Sequence, residues 1–259
     1  MLEIQNVGMS FGGVVALRDI SFAVQPGEVV GVIGPNGSGK STLVNIMTGF
    51  YRPTDGQVTL EGSVISGHSP AGIRRLGVAR TFQNLRLVQE MSALDNVTAG
   101  TYLDTVESGG MVWQGLSAVI GLTAARRASR RARDAAKSAL EVVGMAAKSN
   151  ISVGNLSYGD QKRLELARAI ALRPSVLILD EPTAGMAEDE AEELIGLMSD
   201  LAKDGSNSLS LFLVEHRLEL VLSVSDRAIV MDGGALIADG VPAEIAVNPD
   251  VRRVYVGGE

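Results

Sequence analysis

A glycine-rich loop between an apolar run and a helical pattern constrains this chain more than any other feature. The run from Val29 to Ile33 predicts a buried strand. It enters Gly34-Pro-Asn-Gly-Ser-Gly-Lys-Ser41, after which apolar residues recur at helical spacing until Gly49. A strand, such a loop and a helix, in this order, direct backbone N–H groups and the positive end of the helix dipole at one point. The sequence therefore predicts a phosphate-binding loop.

Residue types in this loop match the chemistry of a bound nucleotide. Lys40 is placed to reach the β- and γ-phosphates, and the Ser41 hydroxyl is placed to bind Mg²⁺. The expected nucleotide-binding residues of this stretch are Gly34, Pro35, Asn36, Gly37, Ser38, Gly39, Lys40, Ser41 and Thr42.

The chain has no cysteine, which excludes disulfides, thiolate zinc sites and a cysteine nucleophile.

A second apolar run ends in two carboxylates. Val176 to Leu179 predicts another buried strand, and Asp180 and Glu181 follow it. Strands often end in acidic residues because the chain leaves the core there. Beside a phosphate-binding loop, however, Asp180 is expected to hold Mg²⁺ through water, and Glu181 to orient and deprotonate an attacking water. Strands of this kind alternate with helical stretches, which predicts an α/β fold with a parallel sheet between helices.

Charge and hydropathy narrow the class of protein. The net charge of −7 over 259 residues argues against a general nucleic-acid binder, which would carry a basic field. The N-terminus lacks a basic segment followed by an apolar stretch, so no signal peptide is expected. The longest uncharged run, residues 108–125, contains several glycines and polar residues and predicts no membrane span. We therefore expect a cytoplasmic chain that reaches a membrane through other subunits.

A third motif makes a family resemblance specific. Leu156-Ser-Tyr-Gly-Asp160 stands at the start of a predicted helix, upstream of Asp180. This segment resembles the signature motif of ABC ATPases, and the phosphate loop and the two carboxylates also fit that family. The resemblance implies that Ser157 and Gly159 bind the nucleotide held by a partner subunit, so that ATP is enclosed in a head-to-tail dimer. For this motif taken alone, an ordinary helix N-cap is the simpler explanation.

Three further positions take their roles from the resemblance. Gln83 is similar to the glutamine that joins the core to a helical insertion and senses Mg²⁺ and water, which makes it a catalytic and metal-binding candidate. His216 follows the apolar run Leu209–Val214 and is similar to the switch histidine near the γ-phosphate. Phe11 is similar to the aromatic residue that stacks on adenine, with a half-buried strand residue as the alternative. The implied cofactors are ATP and Mg²⁺.

The resemblance covers essentially the whole chain and implies its architecture. It implies a P-loop NTPase core of ABC type, with an N-terminal antiparallel β subdomain and an inserted α-helical subdomain. We expect the nucleotide-binding core and the β subdomain at residues 1–86 and 162–259. The helical subdomain, which carries the signature motif, is expected at residues 87–161.

Within the ABC group, the chain resembles ATP-binding subunits of branched-chain amino-acid importers. The segments Ala79–Leu87, Leu156–Gly159 and Asn248–Gly257 carry this resemblance, and Tyr158 is typical of the amino-acid group. It implies a peripheral ATPase on the inner face of the cell membrane that powers uptake of branched-chain or other hydrophobic amino acids. The implied partners are a second ATP-binding subunit, identical or similar, transmembrane permease subunits and, indirectly, a substrate-binding protein, with no nucleic acid.

Other functions stay open from the sequence. One alternative is an ABC transporter ATPase for another cargo, such as urea, amides or lipopolysaccharide. Another is a non-transport ABC ATPase that acts on DNA or ribosomes.

Two departures from the family pattern also matter: Asp160 replaces the usual glutamine of the signature motif, and Ala187 stands where most members have an aspartate that couples the two sites of the dimer.

Overall fold

The structure is a computed structural model that describes residues 1–81, 87–108, 118–204 and 209–256; the side chains of 102–108, 118–125, 255 and 256 are not described. Its strands are β1 (Leu2–Phe11), β2 (Val14–Val24), β3 (Val29–Ile33), β4 (Asp55–Leu60), β5 (Ser63–Val64), β6 (Val78–Arg80), β7 (Val176–Asp180), β8 (Ser210–Val214), β9 (Arg227–Asp232) and β10 (Ala235–Gly240). Its α-helices are α1 (Lys40–Met47), α2 (Pro70–Arg75), α3 (Ala93–Ser108), α4 (Ala118–Val142), α5 (Tyr158–Ile170), α6 (Glu188–Lys203), α7 (Leu218–Val224), α8 (Pro242–Val247) and α9 (Pro249–Val256). Short 3₁₀ helices lie at Ala146–Lys148 and Val153–Asn155.

The chain divides into two compact units. The core unit comprises residues 1–83 and 174–259, and the helical unit comprises residues 84–173. All the strands named above belong to the core unit. Among the described residues, no helix combines the length and the apolar character that a membrane span requires.

Two sheets organise the core unit. An antiparallel sheet of four strands has the order β2-β1-β4-β5, and a second sheet of six strands has the order β10-β9-β3-β8-β7-β6. In the second sheet every neighbouring pair is parallel except β10 with β9. The carboxyl ends of β3, β8 and β7 therefore lie side by side at one edge of this sheet, which is where ligands bind in open α/β sheets.

One apolar core joins the two sheets and α1. Phe22 of β2 stacks on Phe212 of β8, with ring centroids 5.8 Å apart and planes at 7°. Ile20, Phe22 and Val24, which the alternating pattern predicts on one face, are all buried. The burial of both β3 and β7 along their full length explains why each is a continuous apolar run rather than an alternating one.

The helical unit is held together by α3, α4 and α5, which pack pairwise against one another. Its core includes Ala136, Leu140 and Val143 of α4, the apolar stripe that helical spacing predicts. The whole of α5 belongs to this unit, with Leu164 and Ala167 fully buried. The division therefore falls at 173/174, after the predicted position of 161/162, because a boundary at 162 would cut through α5.

Two further segments of the core unit show how far turn residues predict the structure. Asp232-Gly233 between two apolar segments predicts a β-hairpin, and β9 and β10 do pair antiparallel, with Gly233 and Gly234 both at positive φ. Short apolar segments between turn residues in 55–80 predict only strands and turns, but the structure also contains α2 there. Its N-cap is Ser69, whose hydroxyl accepts a hydrogen bond from the backbone N–H of Gly72.

Candidate nucleotide site

The loop between β3 and α1 has a backbone that requires glycine. Gly34 and Gly39 have φ of 154° and 101°, in the region that other residues avoid. A Cβ atom on Gly34 would lie 2.2 Å from the carbonyl oxygen of Met231, and one on Gly39 would lie 2.8 Å from that of Ala16. α1 begins directly after the loop, so its first N–H groups have no partner within the helix and face the loop. This geometry is that of an anion-binding loop.

Lys40, the first residue of α1, is folded into this loop. Its Nζ donates to the carbonyl oxygens of Gly34 and Pro35, at 2.6 and 2.9 Å, and to Ser38 Oγ at 3.3 Å. The side chain is only 6% exposed. All three acceptors are neutral, so within the described residues no anion is hydrogen-bonded to the buried ammonium group. A phosphate at the loop would supply one, with hydrogen bonds about twice as strong as neutral ones.

Asp180, the last residue of β7, has two carboxylate oxygens in different environments. Oδ2 accepts a hydrogen bond from Arg80 at 2.6 Å, within an ion pair whose side chains are 1% and 13% exposed. The same guanidinium group donates to Asn45 Oδ1 at 2.7 Å. Oδ1 of Asp180 is buried and has no hydrogen-bond partner in the described structure. Such an oxygen needs a ligand, and a metal-bound water satisfies that need.

Glu181 and His216 contact each other at the ends of adjacent strands. His216 Nε2 lies 2.6 Å from Glu181 Oε1. Glu181 has a left-handed backbone, with φ of 48°, and its N–H donates to the carbonyl oxygen of Val214 at 2.9 Å. Burial lowers the pKa of Lys40, while the charges of Glu181 and Asp180 act in the opposite direction. The loop lysine and both carboxylates thus share one electrostatic environment.

This edge of the sheet fits Mg²⁺ bound together with a nucleotide. Among the described side chains, no group of three or more His, Asp or Glu residues is arranged to hold a metal ion by itself. Mg²⁺ differs from other metals in keeping several waters and using one or two carboxylates with substrate phosphates. The unsatisfied Oδ1 of Asp180 and the exposed Ser41 match that requirement.

Phe11 lies at the end of β1, where its ring is accessible. Its side chain is 43% exposed. Its ring meets that of Tyr51 edge to face, with centroids 5.3 Å apart and planes at 72°. The pair therefore presents an aromatic surface on which a planar base can stack. Tyr51 is not among the nucleotide-binding residues that the sequence predicts.

The signature motif lies in the helical unit, at the start of α5. Ser157 is the N-cap, and its Oγ accepts a hydrogen bond from the N–H of Asp160 at 3.1 Å. Lys148 Nζ donates to both carboxylate oxygens of Asp160, at 2.6 and 2.7 Å. Burial alone would raise the pKa of Asp160, but hydrogen bonds from Lys148 and Ser157 outweigh it and lower this pKa. Asp160 is thus ionised and neutralised by a lysine that no motif predicts.

Comparison with known proteins decides the family. A profile described as "ABC transporter" matches residues 17–184. The high-affinity branched-chain amino acid transport ATP-binding protein BraF of Pseudomonas aeruginosa is 40% identical over 259 residues, 99% of this chain and 98% of that protein. The chain belongs to the ABC transporter family. LivG of Escherichia coli K12, also a high-affinity branched-chain amino acid transport ATP-binding protein, is 38% identical over 257 residues, 99% of this chain and 98% of that protein.

Solved structures of ABC proteins have the same fold. A nucleotide-free ATP-binding cassette from an ABC transporter matches with a TM-score of 0.81 and 31% identity, over 100% of this chain and 99% of that one. The ADP conformation of an ATP-binding cassette of an ABC transporter matches with a TM-score of 0.83 and 30% identity, with the same coverage. The predicted family, the ABC-type α/β fold and the enzyme class, an ATPase, are confirmed.

The ABC motif residues are divided between the two units, and one of them lies outside the described residues. Lys40, Asp180, Glu181 and His216 lie in the core unit at the edge formed by β3, β7 and β8, and Phe11 belongs to the same unit. Ser157 and Gly159 belong to the helical unit. Gln83 lies outside the described residues, so its role stays a prediction from the resemblance.

The residues that pair with the motif carboxylates are not indicated by the motifs themselves. Arg80 stands within a segment that carries the family resemblance, but nothing in its spacing indicates an ion pair with Asp180, a hundred positions away. Lys148 lies outside every recognised motif. Knowing that the motif carboxylates are buried would have indicated that each needs a cationic partner. Burial of polar residues, however, is hard to infer from one sequence.

Proposed function

We propose that this ABC chain is the ATP-hydrolysing subunit of an importer for branched-chain or other hydrophobic amino acids. The observation that carries the proposal of hydrolysis is the 2.6 Å contact of Glu181 with His216 beside the phosphate loop and Asp180. The relatives in Pseudomonas aeruginosa and Escherichia coli are named as branched-chain amino acid transport ATP-binding proteins, which supports the amino-acid cargo. The importer would include separate permease subunits, since the ATPase itself supplies only the nucleotide chemistry.

Binding of ATP would begin at the loop after β3. Residues 34–42 offer backbone N–H groups, and the side chain of Lys40 exchanges its neutral acceptors for the β- and γ-phosphates. The adenine ring stacks on Phe11, with Tyr51 beside it. The positive charge of Lys40 then already lies beside the γ-phosphoryl group, so no side chain needs to reorganise as charge develops in the transition state.

Hydrolysis would proceed by in-line attack of water on the γ-phosphorus. Glu181 orients this water and accepts its proton as the new P–O bond forms. The bond from the γ-phosphorus to the bridging oxygen breaks, and ADP and phosphate result. His216, which contacts Glu181 in the structure, and Lys40 stabilise the charge on the phosphoryl oxygens.

The residues that would hold Mg²⁺ are Ser41, Gln83 and Asp180. When bound, Mg²⁺ neutralises the charge of the β- and γ-phosphates. Asp180 presents Oδ1 for a metal-bound water, since Arg80 occupies Oδ2. The carboxylate is therefore held in one orientation before the nucleotide arrives.

The site is proposed to be completed by a second ATP-binding subunit, identical or similar. Ser157 and Gly159 of that subunit would close on the γ-phosphate, with a hydroxyl and backbone N–H groups at the start of α5. Closure and opening of this dimer would be passed to the permeases. A substrate-binding protein would act indirectly, by delivering the amino acid to the permeases.

The variant Glu181→Gln tests the catalytic assignment. It should lower the turnover of ATP by roughly 100-fold or more, because the general base is lost while the shape of the side chain is kept. With MgATP it should accumulate as a dimer, measurable by size-exclusion chromatography with light scattering. Glu190→Gln, on the exposed first turn of α6, is the matched control and should behave as the unaltered protein. A Glu181→Gln protein that stays monomeric in ATP and still hydrolyses it would refute the assignment.

Cargo requires a transport measurement. The complex purified from native membranes should be reconstituted in vesicles and supplied with labelled leucine or labelled urea. Uptake of leucine that depends on ATP, and that Glu181→Gln abolishes, is the expected result. Uptake of urea instead would keep the ATPase assignment and replace the cargo.

A further inference from the structure

Glu215, the residue before His216, is a buried carboxylate that holds the loop after β7. Its side chain is 4% exposed. Oε1 accepts two hydrogen bonds from Thr183, one from the backbone N–H at 3.0 Å and one from the hydroxyl at 2.6 Å. Thr183 is equally buried. Two donors thus converge on one carboxylate oxygen, and hydrogen bonds to a carboxylate belong to the stronger class.

This contact joins the two loops that carry the reacting side chains. Glu181 stands two positions before Thr183, and His216 stands directly after Glu215. The left-handed φ of 48° at Glu181 is a conformation that non-glycine residues keep only when surrounding contacts impose it. Two such contacts are the bond of the Glu181 N–H to Val214 and the pair of bonds from Thr183 to Glu215.

Further bonds tie this contact to the rest of the site. The Glu215 N–H donates to the carbonyl oxygen of Val32 at 3.3 Å, on the strand that leads into the phosphate loop. Arg217 Nη2 donates to the Thr183 hydroxyl at 3.0 Å, so this hydroxyl is both donor and acceptor in one chain of bonds. Glu215 therefore contacts the loop after β7 with its side chain and β3 with its backbone.

We propose that Glu215 is a positioning residue for ATP hydrolysis, acting through Thr183 to hold the Glu181 carboxylate against His216. This inference rests on the proposed function. A base that is misplaced by about an ångström loses roughly 100-fold in rate, so a fixed loop is required at this position. The nucleotide itself is bound by the phosphate loop, which Glu215 does not contact with its side chain.

The test compares steady-state ATP hydrolysis by variants of Glu215 and Thr183. Glu215→Gln keeps an acceptor but loses the charge, and should lower kcat about 10-fold with KM for ATP within about twofold. Thr183→Val, which loses the hydroxyl, should lower kcat similarly, whereas Thr183→Ser, which keeps it, should restore kcat. The double variant Thr183→Val with Glu215→Gln should lose little more than either single variant, because both act on one interaction.

Glu28→Gln is the matched control. Glu28 precedes β3 at the opposite end of the strand and pairs with Arg227 at 2.8 Å, so its loss should lower the melting temperature without changing kcat. If Glu215→Gln likewise lowers only the melting temperature, or raises KM with kcat intact, the inference is overturned. Activity of the unaltered protein and its loss in Glu181→Gln are measured in parallel. A chain that hydrolyses no ATP would refute the proposed function, whereas active Glu215 and Thr183 variants would refute only this inference.

Discussion

Individual charged residues in this ABC chain are arranged so that motif carboxylates have fixed partners before any nucleotide binds. Arg80 holds Asp180, and Lys148 holds Asp160, each at 2.6 Å. The first pair is buried, so removing Arg80 would leave an uncompensated charge in the core. The second is more exposed, with Lys148 at 46% and Asp160 at 14%, and contributes less to stability. Its importance lies in the charge that the start of α5 presents.

Loss of Lys148 should raise the pKa of Asp160. In Lys148→Met, burial acts on this carboxyl group without the ion pair that opposes it. The native pKa lies below that of the unfolded chain, so the pair stabilises the fold above the unfolded value and stops doing so as pH falls through the native pKa. We expect a cost of about 0.5–1 kcal/mol at neutral pH, and a smaller one under acidic conditions.

The measurement is a carbon-detected NMR titration of the Asp160 carboxyl group, with urea unfolding at both pH values. Lys137→Met, a variant of an exposed lysine on α4, is the control and should leave the Asp160 titration unchanged. A native pKa of Asp160 that is the same in Lys148→Met and in the unaltered protein would contradict the assignment of Lys148 as its partner.

Among the elements, β3, the phosphate loop and α1 form one continuous segment. Its shape depends on the close approach of the loop backbone to neighbouring backbone. At Gly34 the chain leaves β3 and passes the backbone of Met231 at the end of β9. The loop is therefore held by its neighbours as well as by its own sequence. A change at this glycine should consequently affect nucleotide binding and stability together.

Gly34→Ala should abolish measurable binding of MgATP and cost about 1–3 kcal/mol in the free energy of unfolding. The reason is the φ of 154° together with the 2.2 Å approach of the new Cβ atom to the Met231 carbonyl oxygen. Binding is followed with a fluorescent ATP analogue and stability by urea unfolding. Gly196→Ala is the control: Gly196 lies within α6, where an added Cβ would meet no described atom within 4 Å apart from its chain neighbours and the backbone of its own helix, and the variant should stabilise the protein slightly without altering binding. Normal nucleotide affinity in Gly34→Ala would contradict this account of the loop.

Elements of the site differ in how far the sequence predicts them. β3, β7 and β8 are apolar runs of strand length, and the loop after β3 has a pattern that local chemistry explains, so all were predictable. α2 was missed because its six residues are too few for a periodic signal. The structure groups all of α5 with the helical unit, whereas the predicted boundary lies at 161/162, because the packing of α5 against α3 and α4 is a tertiary contact that its sequence does not indicate.

Contacts between distant residues were the part that no local pattern could predict. The bonds from Arg80 to Asp180 and from Thr183 to Glu215 join segments that lie far apart along the chain. Each depends on which strands are neighbours in the sheet, and the order β3-β8-β7-β6 is not sequential. Motifs therefore predict the reacting residues, and strand order determines what holds them.

The whole molecule carries its two sets of ABC motifs in separate units. The phosphate loop and the carboxylates belong to the core unit, and the signature motif belongs to the helical unit. In the proposed dimer each ATP would meet the core unit of one copy and the helical unit of the other. Ala187 stands where most of the family has the coupling aspartate, so we predict that one composite site hydrolyses ATP without an intact counterpart.

Mixing two inactive variants tests this arrangement. Lys40→Ala removes the phosphate-loop charge, and Ser157→Arg blocks the signature motif, so each variant alone has two defective composite sites. A mixed dimer has one site with both defects and one with neither. We expect each variant alone to hydrolyse ATP poorly and an equimolar mixture to regain part of the activity, because the intact site does not require its counterpart. The measurement is phosphate release against mixing ratio, with a maximum near equal amounts. Activity that never exceeds that of the separate variants would contradict the prediction that a dimer of this chain with one intact composite site hydrolyses ATP.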